Sequence, residues 1–139
     1  MLEVQVVSPE RILYSGEATM VICRTTGGGD IAFLTGHAPF IGALAIWPVE
    51  IVAAEGPRQR VAVHGGFVEV SNDRVTLLSD VAVLPDHIDV SRAQRAKDTA
   101  EAALRSDPDD EEAKAALARA EVRIDVASNA HTPATAGAH

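Results

Sequence analysis

Rings are scarce in this chain: Phe, Tyr and Trp together make up 4% of its residues. A surface that reads nucleic acid by stacking bases needs aromatic platforms, so such a role is disfavoured. Positive charge is also short, with 12 Lys and Arg against 20 Asp and Glu and a net charge of -8. That balance repels phosphate backbones and anionic headgroups, which argues against nucleic acid as a main partner. Cys23 has no second cysteine to pair with, so an intramolecular disulfide is excluded and the count suits a reducing compartment. No window reaches about 18 apolar residues free of charge. The opening MLEVQVVSPE has no basic segment ahead of an apolar run, so no secretory signal is expected. Any work at a membrane falls to a partner that holds the chain there.

What is present is aliphatic. Hydrophobic residues are 47% and charged residues 23% of 139, room for one moderate domain or a small domain with an appendage. Residues 2–6 (LEVQV) alternate with the period of a half-buried strand. Ile12-Leu13-Tyr14 resumes before Ser15-Gly16, and residues 18–24 (ATMVICR) form another strand candidate ahead of Gly27-Gly28-Gly29. Residues 43–53 (ALAIWPVEIVA) contain Pro48, which cannot donate to a ladder and predicts two strands or a broken edge strand. In VHGGFVEV, Gly65-Gly66 predicts a tight strand-to-strand turn, and Ser71-Asn72-Asp73 a short hairpin. The layout is that of a mainly β sandwich of about eight to ten short strands.

From Asp89 onward the period becomes helical. Ala93, Ala96, Ala100 and Leu104 predict one apolar stripe; Ala113, Leu117, Ala120, Ile124 and Ala127 predict a second. Asp107 and Pro108 between them suit an N-cap and a first helical position. The expectation is a C-terminal antiparallel α-helical hairpin, giving three parts: a β sandwich over 1–84, the hairpin over 85–127, and a polar, disordered tail over 128–139. Alanine stripes let helices approach closely but bind weakly, since an alanine methyl contributes well under half of the roughly 1.5–3 kcal/mol of a buried leucine. A hairpin of that composition can leave its docking surface.

Three constellations stand out. Asp30 and His37 flank a glycine-rich loop, but one acid and one histidine seven residues apart lack metal-ligand spacing and a nucleophile. A surface that contacts another chain is the better account. An enzyme would require His37 or His64 to meet acids in a pocket. The glycines after His64 lack the phosphate-loop pattern and precede a strand, not a helix. Asp89 reads as an N-cap with Arg92 in the first turn. Alternatively Arg92 joins Arg119 and Arg123, which lie four apart on one helix face, to collect an anionic phosphate.

Three segments in order carry a resemblance: GDIAFLTGHAP (residues 29–39), VHGGFVEV followed by VTLLSDVA (63–82), and IDVSRA (88–93) opening the helical pair. The chain resembles the epsilon subunit family of the F-type proton-translocating ATP synthase, across nearly all of residues 2–127. The resemblance implies a non-catalytic central-stalk subunit that couples proton flow to ATP synthesis and restrains hydrolysis through its hairpin. It implies the gamma subunit, the c-subunit ring and the alpha and beta subunits as partners, and a peripheral place on the cytoplasmic side of the cell membrane. The loop with Asp30 and His37 matches the part that approaches the c ring and gamma. Lys114, Arg119 and Arg123 are the implied contacts to beta. In some bacterial members [IL]DxxRA binds ATP as a regulatory ligand; Ile88, Asp89, Arg92 and Ala93 match that motif, and Arg119 and Arg123 fit its basic partners. Thr99 and Val83 stand where ATP-binding members carry an arginine and an acid. No cofactor or metal is implied. A free-standing ATP-sensing module is the rival reading, and co-purification with gamma separates the two.

Overall fold

The computed structural model of the chain describes residues 1–128. Its strands are β1 (Leu2–Val7), β2 (Ile12–Ala18), β3 (Met20–Arg24), β4 (Asp30–Leu34), β5 (Phe40–Val52), β6 (Gln59–Ser71), β7 (Arg74–Leu78) and β8 (Ala82–Val83). Helices α1 (Val90–Ser106) and α2 (Glu111–Ser128) follow. The expected tail over 128–139 lies outside the described residues, apart from Ser128, which closes α2.

The strands run in the order β2-β1-β7-β6-β5-β3-β4, with β8 beside β6. All neighbours pair antiparallel except β1 and β7. The architecture turns on β5 and β6, each 13 residues long and paired along nearly their whole length. One half of β6 pairs with β7, the other with β8. One half of β5 reaches β3 in the same way. The two long strands therefore belong to both layers, and Leu2, Val21, Phe33, Ile51, Val61 and Leu77 from six strands meet in one core. The sandwich followed by a helical pair agrees with the sequence reading.

Several details do not. The two longest strands are not short, and VHGGFVEV is no turn. Gly65 and Gly66 adopt φ of +90° and +117° inside β6, bending the strand without ending it. Pro48 does not split β5 either. It pairs opposite Ala62 of β6, and the β3 ladder on that strand stops at Glu50, short of the missing donor. Ser15-Gly16 likewise stays within β2. The Asn72-Asp73 hairpin forms as expected, with both residues at left-handed φ (52° and 59°).

α2 lies against β5 and β6, and α1 packs on α2. Ala93, Ala100, Ala113 and Ala120 are buried as the alanine stripes predict. Ala96 is exposed, because its neighbour Lys97 takes that turn of the α1 stripe with its half-buried stem. What seats α2 on the sandwich is a second face, Val122 and Val126, closing over Ala62 with Ile46, Val83 and Ile88 around them.

Candidate functional site

The connection between sandwich and helical pair is built from a short 3-10 turn (Pro85–His87) and the N-terminus of α1. The Arg92 N–H donates to Asp89 Oδ1 at 3.0 Å, making Asp89 the N-cap that the spacing predicts. Ile88 is half-buried and packs into the small cluster beneath α2, so this connection is pinned to the surface on which α2 lies. Ala93 is buried at the first turn of α1, while the Arg92 side chain is exposed.

Docking brings together what the sequence separates by 59 residues, His64 to Arg123. His64 on β6 donates its backbone N–H to Val81 O at 3.0 Å, and its Nε2 is enclosed with no partner among the described residues. The Arg123 Nε is enclosed and unpartnered in the same way. Burial, then the charges of Arg123 and Arg119, push the His64 pKa down to about 4, so its ring is neutral at physiological pH. Burial, then the Arg92 and Arg119 charges, hold the Arg123 guanidinium below its ordinary value. Arg119 donates to Glu112 Oε1 at 2.8 Å. Arg92 and Arg119 thus both lie within electrostatic reach of Arg123, and Arg119 is paired with Glu112, an arrangement of cations suited to an anion.

Lys114 faces elsewhere. Five residues before Arg119, it projects about 140° around α2, and it pairs with Glu111 at 3.2 Å. Asp30 and His37 also stay apart, Asp30 opening β4 and His37 lying three residues past its end. Asp30 pairs with Arg24 at 3.0 Å, and Arg24 lies 3.6 Å over the Trp47 ring. His37 meets Phe33 edge-on at 4.9 Å, and the Gly36 N–H donates to Asp73 Oδ1 at 2.7 Å, fixing the loop to the Asn72-Asp73 hairpin. Among the described residues no group of three His, Cys, Asp or Glu could hold a metal ion. No helix there is long and apolar enough to cross a membrane.

Sequence reasoning missed the docking residues. Arg60 on β6 reaches Asp125 of α2 at 3.4 Å through both guanidinium nitrogens and is steadied by Glu50 at 3.3 Å. Beside this pair an open groove of about 400 Å³ runs between β5 and α2, lined by Trp47, Pro48, Ala118, Val122 and Ile124 among others. The available signal was Val61-Ala62-Val63. All three are buried, which a strand allows only when both of its faces are covered.

Comparison with known proteins agrees with this architecture. Residues 1–85 match the family described as ATP synthase, Delta/Epsilon chain, beta-sandwich domain, and residues 86–128 match its long alpha-helix domain. The ATP synthase epsilon chain of Streptomyces griseus is 45% identical over 123 residues, covering 88% of this chain and 92% of that one. The ATP synthase epsilon chain of Shouchella clausii is 39% identical, covering 92% and 96%. A chain in the mitochondrial ATP synthase of Euglena gracilis shares the fold with a TM-score of 0.67 at 21% identity, covering 99% of this chain and 81% of that one. Sandwich, helical pair and sequence together place the chain in the ATP synthase delta/epsilon family, as a non-catalytic epsilon-type subunit of that complex.

Proposed function

We propose that the chain couples rotation to ATP synthesis in the central stalk and restrains ATP hydrolysis by moving its C-terminal hairpin. The observation that carries this is the small apolar contact beneath α2, where Val122 and Val126 close over Ala62 with the Arg60–Asp125 ion pair at its edge. Burying two valines contributes roughly 3–5 kcal/mol before losses in side-chain freedom, and a half-exposed pair adds about 0–1 kcal/mol. Moving a two-state element from 1:99 to 99:1 takes about 5.5 kcal/mol. The docked state is therefore within reach of a ligand or a partner surface. Released, α2 presents Arg119 and Arg123 to an acidic surface of the beta subunits, and Lys114 makes its contact from another face of the same helix.

In this reading the sandwich sits on gamma and the c ring, with the loop of Asp30 and His37 toward the ring, and the membrane is met through those partners. The outer face of β5, β6 and β7 supports a protein partner, because Ile41, Phe67 and Leu78 are exposed side by side across the strands. ATP acts as a regulatory ligand at the hinge, its phosphates on Arg92, Arg119 and Arg123 and its remainder against Ile88, Asp89 and Ala93. Deleting residues 86–139 from the reconstituted complex should raise its ATP hydrolysis rate severalfold without lowering assembly. An unchanged rate removes the restraining role.

A further inference from the structure

We propose that His64 is a proton-sensitive latch: an imidazolium at this position expels α2 from the sandwich, and a phosphate-class anion held by Arg92, Arg119 and Arg123 opposes the expulsion. The second half rests on the anion seat proposed above; the first does not.

The geometry is a ring trapped between a strand and a cationic helix face. Gly65 and Gly66 bend β6 immediately after His64, and Ser79 Oγ fixes the bend by donating to Gly65 O (2.7 Å) or Val81 O (2.9 Å). The imidazole cannot follow a moving helix, because its own backbone is tied to Val81. α2 faces it with Arg119 and Arg123, and α1 adds Arg92 behind them. β5 places Ile46 opposite His64, and Val81 and Ala82 come from the β8 side, so neither neighbour offers a counter-charge. Asp80 in that connection is exposed, and Glu112 is engaged by Arg119. Asp125, the carboxylate that α2 turns toward β6, is engaged by Arg60. The charges that act on His64 are those of Arg123 and Arg119, and its enclosed Nε2 has no hydrogen-bond partner among the described residues.

The sign follows from the lowered pKa. With α2 docked the ring titrates at about 4, and with α2 released it returns toward 6.5. Docking is complete above about pH 6.5 and weakens as pH falls toward 4. Between pH 7 and pH 5.5 the docking constant falls by about eightfold from the full shift, and about threefold after solvent screening of a half-buried ring. Burial still opposes the proton, but an anion on the three arginines offsets the part of the opposition that comes from Arg123 and Arg119, so it helps keep α2 seated while His64 protonates.

Trp47 reports the event, since it is the single tryptophan and lines the groove against Ala118 and Ile124 of α2. In the full chain its emission should move to the red on acidification, with a midpoint between pH 4 and pH 6.5. His64→Gln should remove that transition and Asp125→Asn should keep it. Should the glutamine variant fold poorly, the wild-type His64 ring carbons, followed by NMR, must titrate together with the α2 amides. Added inorganic triphosphate should lower the midpoint. A transition that persists in His64→Gln, or a His64 titration with unmoved α2 amides, overturns the latch. A midpoint unmoved by triphosphate, with the His64 dependence intact, overturns the anion seat and leaves the latch standing.

Discussion

At the level of single residues, Gly66 shows how one backbone position sets the shape of the sandwich. A Cβ there would lie 2.1 Å from Leu78 O and 2.9 Å from the Ser79 Cα, at a φ of +117°. Both obstacles are backbone, so neither can swing aside, and β6 bends where glycine alone is tolerated. Gly66→Ala should destabilise the fold by roughly 2–4 kcal/mol, read as a lower urea midpoint with α1 and α2 still helical. Gly65 at +90° has its nearest obstacle at 3.6 Å, so strain there comes from φ alone and its substitution should cost less. Cys23 carries the opposite lesson. Burial, then Asp30, pushes its thiol up to about 11, which makes it an inert core residue and no redox site.

At the level of elements, the sandwich and the hairpin are joined through a small, specific contact that alanine periodicity does not reveal. Val126 is fully buried yet lies off the stripe of Ala113, Leu117, Ala120 and Ile124, since α2 has to satisfy α1 on one side and the sheet on another. Val126→Ala should weaken docking by roughly 1.5–2.5 kcal/mol, seen as faster amide exchange throughout α2 with β-strand amides unaffected. The alternation in β1, the N-cap at Asp89 and the left-handed pair at Asn72-Asp73 were legible, because each is a local signal that local physics decides. The bend at Gly65-Gly66 was not, because glycine marks both a turn and a close backbone approach, and the approach is made by the backbone of Leu78 and Ser79, twelve and thirteen positions after Gly66. Pro48 misled for a related reason: whether a missing donor matters depends on which neighbouring strand lies alongside. The anion-suited cluster was half legible. Spacing put Arg119 and Arg123 on one face and offered Arg92 as their partner in holding an anion, but His64 joins them only through docking.

At the level of the whole molecule, an apolar face is left exposed to water by the described residues. Ile41 is 71% and Phe67 57% exposed, and the strand register sets Phe67 beside Leu78, itself 46% exposed. Ile41 pairs with Glu69, one row along on the same side of the sheet. α2 covers the other end of β5 and β6, over Ala62, so this face stays open with the hairpin docked. A released hairpin does not need it either, which separates anchoring from switching. Phe67→Glu together with Ile41→Glu should change stability by about 0.5 kcal/mol or less, because both side chains already lie in solvent. If this face seats the gamma subunit, the double variant should lose co-purification with gamma while keeping the wild-type circular dichroism and the same response of Trp47 to acid. Retained binding would move the seat elsewhere on the sandwich. Lost binding with an unchanged Trp47 response would show that the rotor is gripped at one end of the long strands and regulated at the other.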